Sequence, residues 1–233
     1  MNPKGAEIMI KAVIFDMYET LITQFRSPLY YGAHIAEDAG IPIEVFLPSW
    51  RATDEARSTG KKTFEEVIEM LLRENQVYSE ERYKRIVEKR IAIQADCFRH
   101  LHEEIIPMLV NLKEKGIKIG LISNCFSEET ALIKNSELFP FFDAVCLSYE
   151  EGMMKPEVGI YHRCMDKLGV TAEECLYVGD GGCNELETAR KLGMQAVQAV
   201  WYRHPNGEGR MVEIKTEFEQ IESPLEIGRK VYV

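Results

Sequence analysis

No two cysteines stand in CxxC spacing: Cys97, Cys125, Cys146, Cys164, Cys175 and Cys183 are scattered through the chain. That pattern argues against a zinc knuckle or a disulfide framework and fits reduced thiols in a cytoplasmic protein. Five histidines form no HxxxH or similar metal spacing. Long apolar runs are also missing. None approaches the ~20 residues of a membrane span, and the opening MNPKGAEIM lacks the apolar stretch of a signal peptide, so a soluble chain is expected. Basic residues are outnumbered, with 28 Lys and Arg against 38 Asp and Glu. The net charge of -10 repels nucleic acid phosphates and anionic membranes, which leaves small molecules as the expected partners.

What is present is a patterned globular sequence of 233 residues, 45% hydrophobic, with no internal repeat. AVIFD (Ala12 to Asp16) is an apolar run ending in a carboxylate, as expected of a central parallel strand covered on both faces. IKIGLIS, DAVCLS, CLYVGD and QAVQAV repeat that pattern later. Helical stretches ending at Gly116, Gly169 and Gly193 separate them. Strand and helix alternate, which predicts an α/β fold with a Rossmann-like parallel sheet. From Thr23 to Cys97 the rhythm breaks, with helical patterns and no strand. Thr63 and Glu66 form a capping box, and Tyr83, Ile86, Val87, Arg90, Ile91 and Gln94 share one stripe of the following helix. The reading is a catalytic core over 1–22 and 98–233 with an inserted α-helical cap domain over 23–97. HPNGEGR at 204–210 reads as a surface loop, and the tail beyond it carries no pattern.

In such a sheet, ligands bind beyond the carboxyl ends of the strands. Asp16, Ser123, Asn124 and Asp180 stand there, with Glu185 in the helix after Asp180 and Lys155 before Pro156 at the mouth of another helix. Two carboxylates ~4 Å apart repel by about 4 kcal/mol at an effective dielectric of 20. They need a proton or a cation, and hard oxygen donors suit Mg2+. Asp16 can also attack an electrophile and form an ester that water later cleaves. Ser123 and Lys155 would hold the transferred oxygens.

FDMYETL, LISNC, KPEVGIY and VGDGGCNEL resemble, in order and spacing, the motifs of the haloacid dehalogenase superfamily of hydrolases, and the helical insert resembles its cap subclass. The resemblance implies Asp16 as nucleophile, Ser123, Asn124 and Lys155 as phosphoryl-binding residues, and Asp16, Asp180, Glu185 and the Tyr18 carbonyl as magnesium ligands. Tyr18 stands where the superfamily's phosphatases carry an aspartate that acts as general acid and base, and Glu19 replaces a common glycine. A tyrosine of pKa near ~10 donates a proton but is a poor base at neutral pH. The 2-haloacid dehalogenases resemble this chain in having that tyrosine, yet lack the acid kept here as Asp180. Phosphonoacetaldehyde hydrolase is a further pattern, in which Lys61 or Lys62 would serve as a cap lysine, although a solvated surface is the simpler reading of both. Magnesium-dependent hydrolysis of a small phosphorylated metabolite through an aspartyl-phosphate on Asp16 is the leading expectation, dehalogenation the second, and a degenerate binder of phosphorylated ligands the third. Tyr30, Trp50, Arg51 and Arg57 are cap candidates for facing substrate or for packing a core. Cys125 and Cys183 read as bystanders.

Overall fold

The computed structural model describes residues 9–203 and 213–231, so the opening residues and the expected loop at 204–210 lie outside the described part. Along the chain run β1 (Ala12–Phe15), α1 (Gly32–Ala39), α2 (Ile43–Ala52), α3 (Asp54–Ser58), α4 (Phe64–Glu74), α5 (Glu80–Cys97), α6 (Ile105–Glu114) and β2 (Lys118–Ser123). Then come α7 (Ser127–Lys134), β3 (Ala144–Leu147), α8 (Ser148–Glu151), α9 (Val158–Leu168), β4 (Cys175–Gly179), α10 (Glu185–Lys191), β5 (Gln195–Ala199), β6 (Glu219–Ile221) and α11 (Ile227–Lys230). The six strands form one parallel sheet in the order β3-β2-β1-β4-β5-β6. β6 comes from the tail that carried no sequence pattern. It is three residues long and at the sheet edge, too short for alternation to register.

Central β1 is buried at every residue because helices cover both faces. Val13 and Phe15 point into one apolar cluster with α6, and Ile14 points into another with α9. β1 pairs with β2 and β4 in register, so Phe15 lies opposite Leu121 and Val178. That register brings Asp16, Ser123 and Asp180 to the same rim of the sheet.

The helices α1 to α5 bury a third cluster of their own, built around Ile35, Phe46, Phe64, Leu71 and Ile86. Thr63 makes the expected capping box at the start of α4. On α5 the expected stripe is rotated. Ile86, Arg90, Gln94 and Cys97 are buried, whereas Ile91 is exposed. These helices meet the core where Phe64 N–H donates to Ser127 Oγ at 2.9 Å and where Arg57 stacks between Trp50 and Phe126. Among the described residues no helix is long and apolar enough to cross a membrane.

Candidate active site

Asp16 follows β1 directly, its backbone N–H still bonded to Val178 O at 2.9 Å in the neighbouring strand. Asp180 follows β4, and the turn after it is built for tight curvature, with positive φ at Gly181, Cys183 and Asn184. The turn folds its donors inward: Gly182 N–H donates to Asp180 Oδ1 at 2.8 Å and Gly181 N–H to Glu185 Oε1 at 3.0 Å. Asn184 occupies the position before α10, yet its side chain makes no capping bond.

Lys155 joins these groups. Its Nζ lies 2.5 Å from Asp16 Oδ1 and 2.5 Å from Glu185 Oε2, while Tyr177 Oη donates to the same Glu185 oxygen at 2.9 Å. One oxygen from each of Asp16, Asp180 and Glu185 falls within 4.8 Å of the others. Burial pushes the Asp16 carboxyl up to about 8 against the opposing Lys155 ammonium, and Glu185 and Asp180 push the same way. Asp180 rises to about 7 through burial and then Glu185. Fully ionised, the three acids would hold more negative charge than one lysine offsets, so they retain protons unless a cation replaces them, and with hard oxygen donors throughout a divalent cation of the magnesium class fits the cluster.

Ser123 ends β2 fully buried, and its hydroxyl has no hydrogen-bond partner among the described residues. Asn124 lines the cavity over Asp16 and also holds Lys155. Its amide donates to Lys155 O at 3.0 Å and accepts from Lys155 N–H at 2.7 Å, so it positions the lysine's backbone. Glu185 has both oxygens engaged, by Lys155, Tyr177 and Gly181. Tyr18 lines the cavity, and its buried hydroxyl has Glu129, Arg90 and Glu128 among its charged surroundings and no hydrogen bond of regular geometry among the described residues. Glu19 holds φ at 57°, the conformation a glycine would take there more readily, and its carboxylate accepts from Thr23 Oγ1 at 2.6 Å and Gln24 N–H at 2.8 Å.

The other cap candidates divide. Tyr30 packs in the cap core and donates to Asp38, and it is the neighbouring Tyr31 that lines the cavity above Asp16. Trp50 and Arg57 pack against each other, and Arg51 is exposed. Lys61 is paired with Glu55 on the surface, and neither Lys61 nor Lys62 lines the cavity. Cys183 lines it, while Cys125 is buried beside it.

Residues that the sequence did not single out complete the site. Gln198 on β5 donates to Asp180 O at 2.9 Å, and Trp201 Nε1 donates to Thr20 O at 2.9 Å while Thr20 Oγ1 faces Asp16 Oδ2 at 3.5 Å. Arg90 reaches the cavity from α5 and is held by Glu128 and Glu129 of α7. Its place among apolar stripe residues was the available signal, because a buried guanidinium needs a buried acid.

A family model of haloacid dehalogenase-like hydrolases matches residues 10–193. The chain is 26% identical to a glyceraldehyde 3-phosphate phosphatase of Methanopyrus kandleri, with 94% of this chain and 96% of the relative covered. Its fold is similar to that of a Bacteroides thetaiotaomicron enzyme solved with magnesium and inorganic phosphate, at TM-score 0.61, 19% identity and coverage of 89% and 98%. It is also similar to an L-2-haloacid dehalogenase of Xanthobacter autotrophicus, at TM-score 0.59, 20% identity and coverage of 96% and 98%. One fold thus serves both chemistries, and the choice between them falls to the site.

Proposed function

This chain belongs to the haloacid dehalogenase-like hydrolases, and from that premise we propose that it is a magnesium-dependent phosphatase of small phosphate monoesters. The observation that carries the reading is Asp180, kept within reach of Asp16 and Glu185 with a single lysine among them. An excess of buried carboxylate is costly without a cation, and a phosphoryl substrate needs one. Asp16 and Asp180 would hold the ion, with the Tyr18 carbonyl by family resemblance, and Glu185 serves chiefly to hold Lys155. When bound, magnesium neutralises phosphoryl oxygens and the acids beneath them.

The chain's own residues supply the rest. An Asp16 carboxylate oxygen attacks phosphorus, the bond from phosphorus to the ester oxygen breaks, and the alcohol departs as its anion, which water then protonates. Water then cleaves the acyl phosphate and regenerates Asp16. Lys155 offsets charge on the transferred oxygens, and the free Ser123 hydroxyl is a donor for one of them. The helices α1 to α5 act as the cap, closing the cavity over Asp16 and contacting the leaving group. Relatives that bear the name glyceraldehyde 3-phosphate phosphatase support a small phosphorylated substrate.

Tyr18 favours the second reading, dehalogenation, because a halide leaves without a proton. The test is a panel of phosphate monoesters and 2-haloacids assayed with magnesium and with chelator. Phosphate release that needs magnesium supports the proposal. Halide release that persists in chelator replaces it with dehalogenation, and binding of phosphate without any turnover replaces it with a degenerate binder.

A further inference from the structure

Residues 16–31 and 98–104 are the two stretches that join α1 to α5 to the sheet and its helices. They are far apart in sequence, yet one side chain from outside both bonds to each of them. Tyr202, just beyond β5, donates from its hydroxyl to Leu21 O at 3.0 Å, and the same oxygen accepts from the His102 backbone N–H at 2.8 Å. The His102 ring stands nearly perpendicular to the Tyr202 ring, with centroids 6.2 Å apart. The Arg26 guanidinium lies over the Tyr202 ring, 5.5 Å from its centroid. Trp201, the neighbour of Tyr202, adds its own bond to Thr20 O at 2.9 Å.

Tyr202 therefore touches the first connection at Leu21 and again at Arg26. Between those two contacts lie Gln24 and Phe25, which line the cavity over Asp16. Gln24 Oε1 in turn accepts from Tyr31 Oη at 2.9 Å, and Tyr31 lines the same cavity. Leu21 is fully buried, so water does not readily replace a hydroxyl lost from its carbonyl. We propose that Tyr202 is a positioning residue: its hydroxyl locks the two connections to each other and thereby sets Gln24 and Phe25 against the substrate's leaving group. At the phosphoryl end, Lys155 is held by Asp16 and Glu185, and Asp180 by the Gly182 N–H, so the lock bears on the leaving group and not on the reacting groups. The proposal rests on the phosphatase reading, in which α1 to α5 act as the cap, and adds to it the group that fixes the cap's connections over the site.

Tyr202→Phe tests it, because the variant keeps the ring and its contact with Arg26 and removes only the oxygen. Hydrogen exchange read by mass spectrometry needs no substrate. Peptides covering 20–26 and 98–104 should exchange about 10-fold faster than in wild type, the scale of one hydrogen bond, while β1 and β2 stay as slow as before. Unchanged exchange in the two connections overturns the lock. Equal acceleration in the sheet also overturns it, since the hydroxyl would then serve general stability. With magnesium present, KM for phenyl phosphate should rise about 10-fold and kcat change less than about 3-fold. Inhibition by inorganic phosphate, which carries no leaving group, should be unaltered. A variant with lower kcat at the wild-type KM overturns the positioning role, because a smaller folded fraction has that signature. If wild type hydrolyses no phosphate ester, the phosphatase reading has failed separately, and hydrogen exchange still decides whether Tyr202 locks the connections.

Discussion

Asn124 pairs both ends of its side-chain amide with the backbone of Lys155, donating to the carbonyl at 3.0 Å and accepting from the N–H at 2.7 Å. The two residues are 31 positions apart, and the pair ties the end of β2 to the loop that carries Lys155. Asn124→Ala should leave two buried backbone groups unpaired, costing ~1–3 kcal/mol. It should also lower kcat/KM about 10- to 100-fold through a displaced Nζ. Urea denaturation and steady-state kinetics check both, and Asn124→Asp, which keeps the acceptor alone, should fall between.

Gly179 ends β4 directly beneath Glu185, and a Cβ there would overlap Glu185 Oε1 and lie 2.6 Å from its Cδ. Glu185 is fully buried and fixed by Lys155, Tyr177 and Gly181, so it cannot step aside without releasing the lysine. Gly179→Ala should cut kcat about 100-fold with circular dichroism unchanged. Wild-type turnover in that variant would show that Glu185 does not set the position of Lys155.

Asp16 and Asp180 have folded-state values of about 8 and about 7, raised chiefly by burial from an ordinary 3.8. Between the ordinary and the raised values the folded chain binds more protons than the unfolded one. The stability these groups contribute is therefore full below about pH 4 and is lost as pH rises through 7 to 8. In chelator, the urea midpoint should fall over that window. Magnesium should oppose the fall, and more strongly at higher pH, because it competes with protons for the same oxygens. A chelated Asp180→Asn variant should show a shallower decline.

Arg90 ties α5 to α7 through two buried carboxylates. Arg90→Met should destabilise by ~3–5 kcal/mol, because it leaves both acids buried and unpaired. The triple variant with Glu128→Gln and Glu129→Gln should recover part of that loss. If the triple is no more stable than the single variant, the cost lies in packing and not in stranded charge.

Tyr18 lines the cavity over Asp16 with its hydroxyl buried near Glu129 and Arg90, and burial followed by Glu129 pushes its pKa up, so under the proposed reading it is a weak source of the ester oxygen's proton. An acid contributes typically ~100- to 10,000-fold when a poor leaving group must be protonated. Wild type should hydrolyse acyl and aryl phosphates far faster than simple alkyl phosphates, and Tyr18→Asp should narrow that gap. Equal rates on alkyl and aryl esters in wild type would mean that another group supplies the proton.

The sequence by itself determined the sheet and the rim of the site. Five of the six strands, the helical insert and the strand ends at Asp16, Ser123 and Asp180 follow from local rules, since a doubly covered strand must be an apolar run and its end must meet solvent or ligand. The edge strand β6 escaped because three residues carry too little periodicity. Only the tertiary structure decided how side chains share partners. Local spacing shows neither which group Asn124 holds, nor what Glu185 pairs with, nor what surrounds the Tyr18 hydroxyl. Each was fixed by a group distant in sequence: the Lys155 backbone, the Lys155 ammonium and the Arg90 cluster. A buried polar atom takes the partner that the packing brings within about 3 Å, and sequence spacing does not encode that meeting.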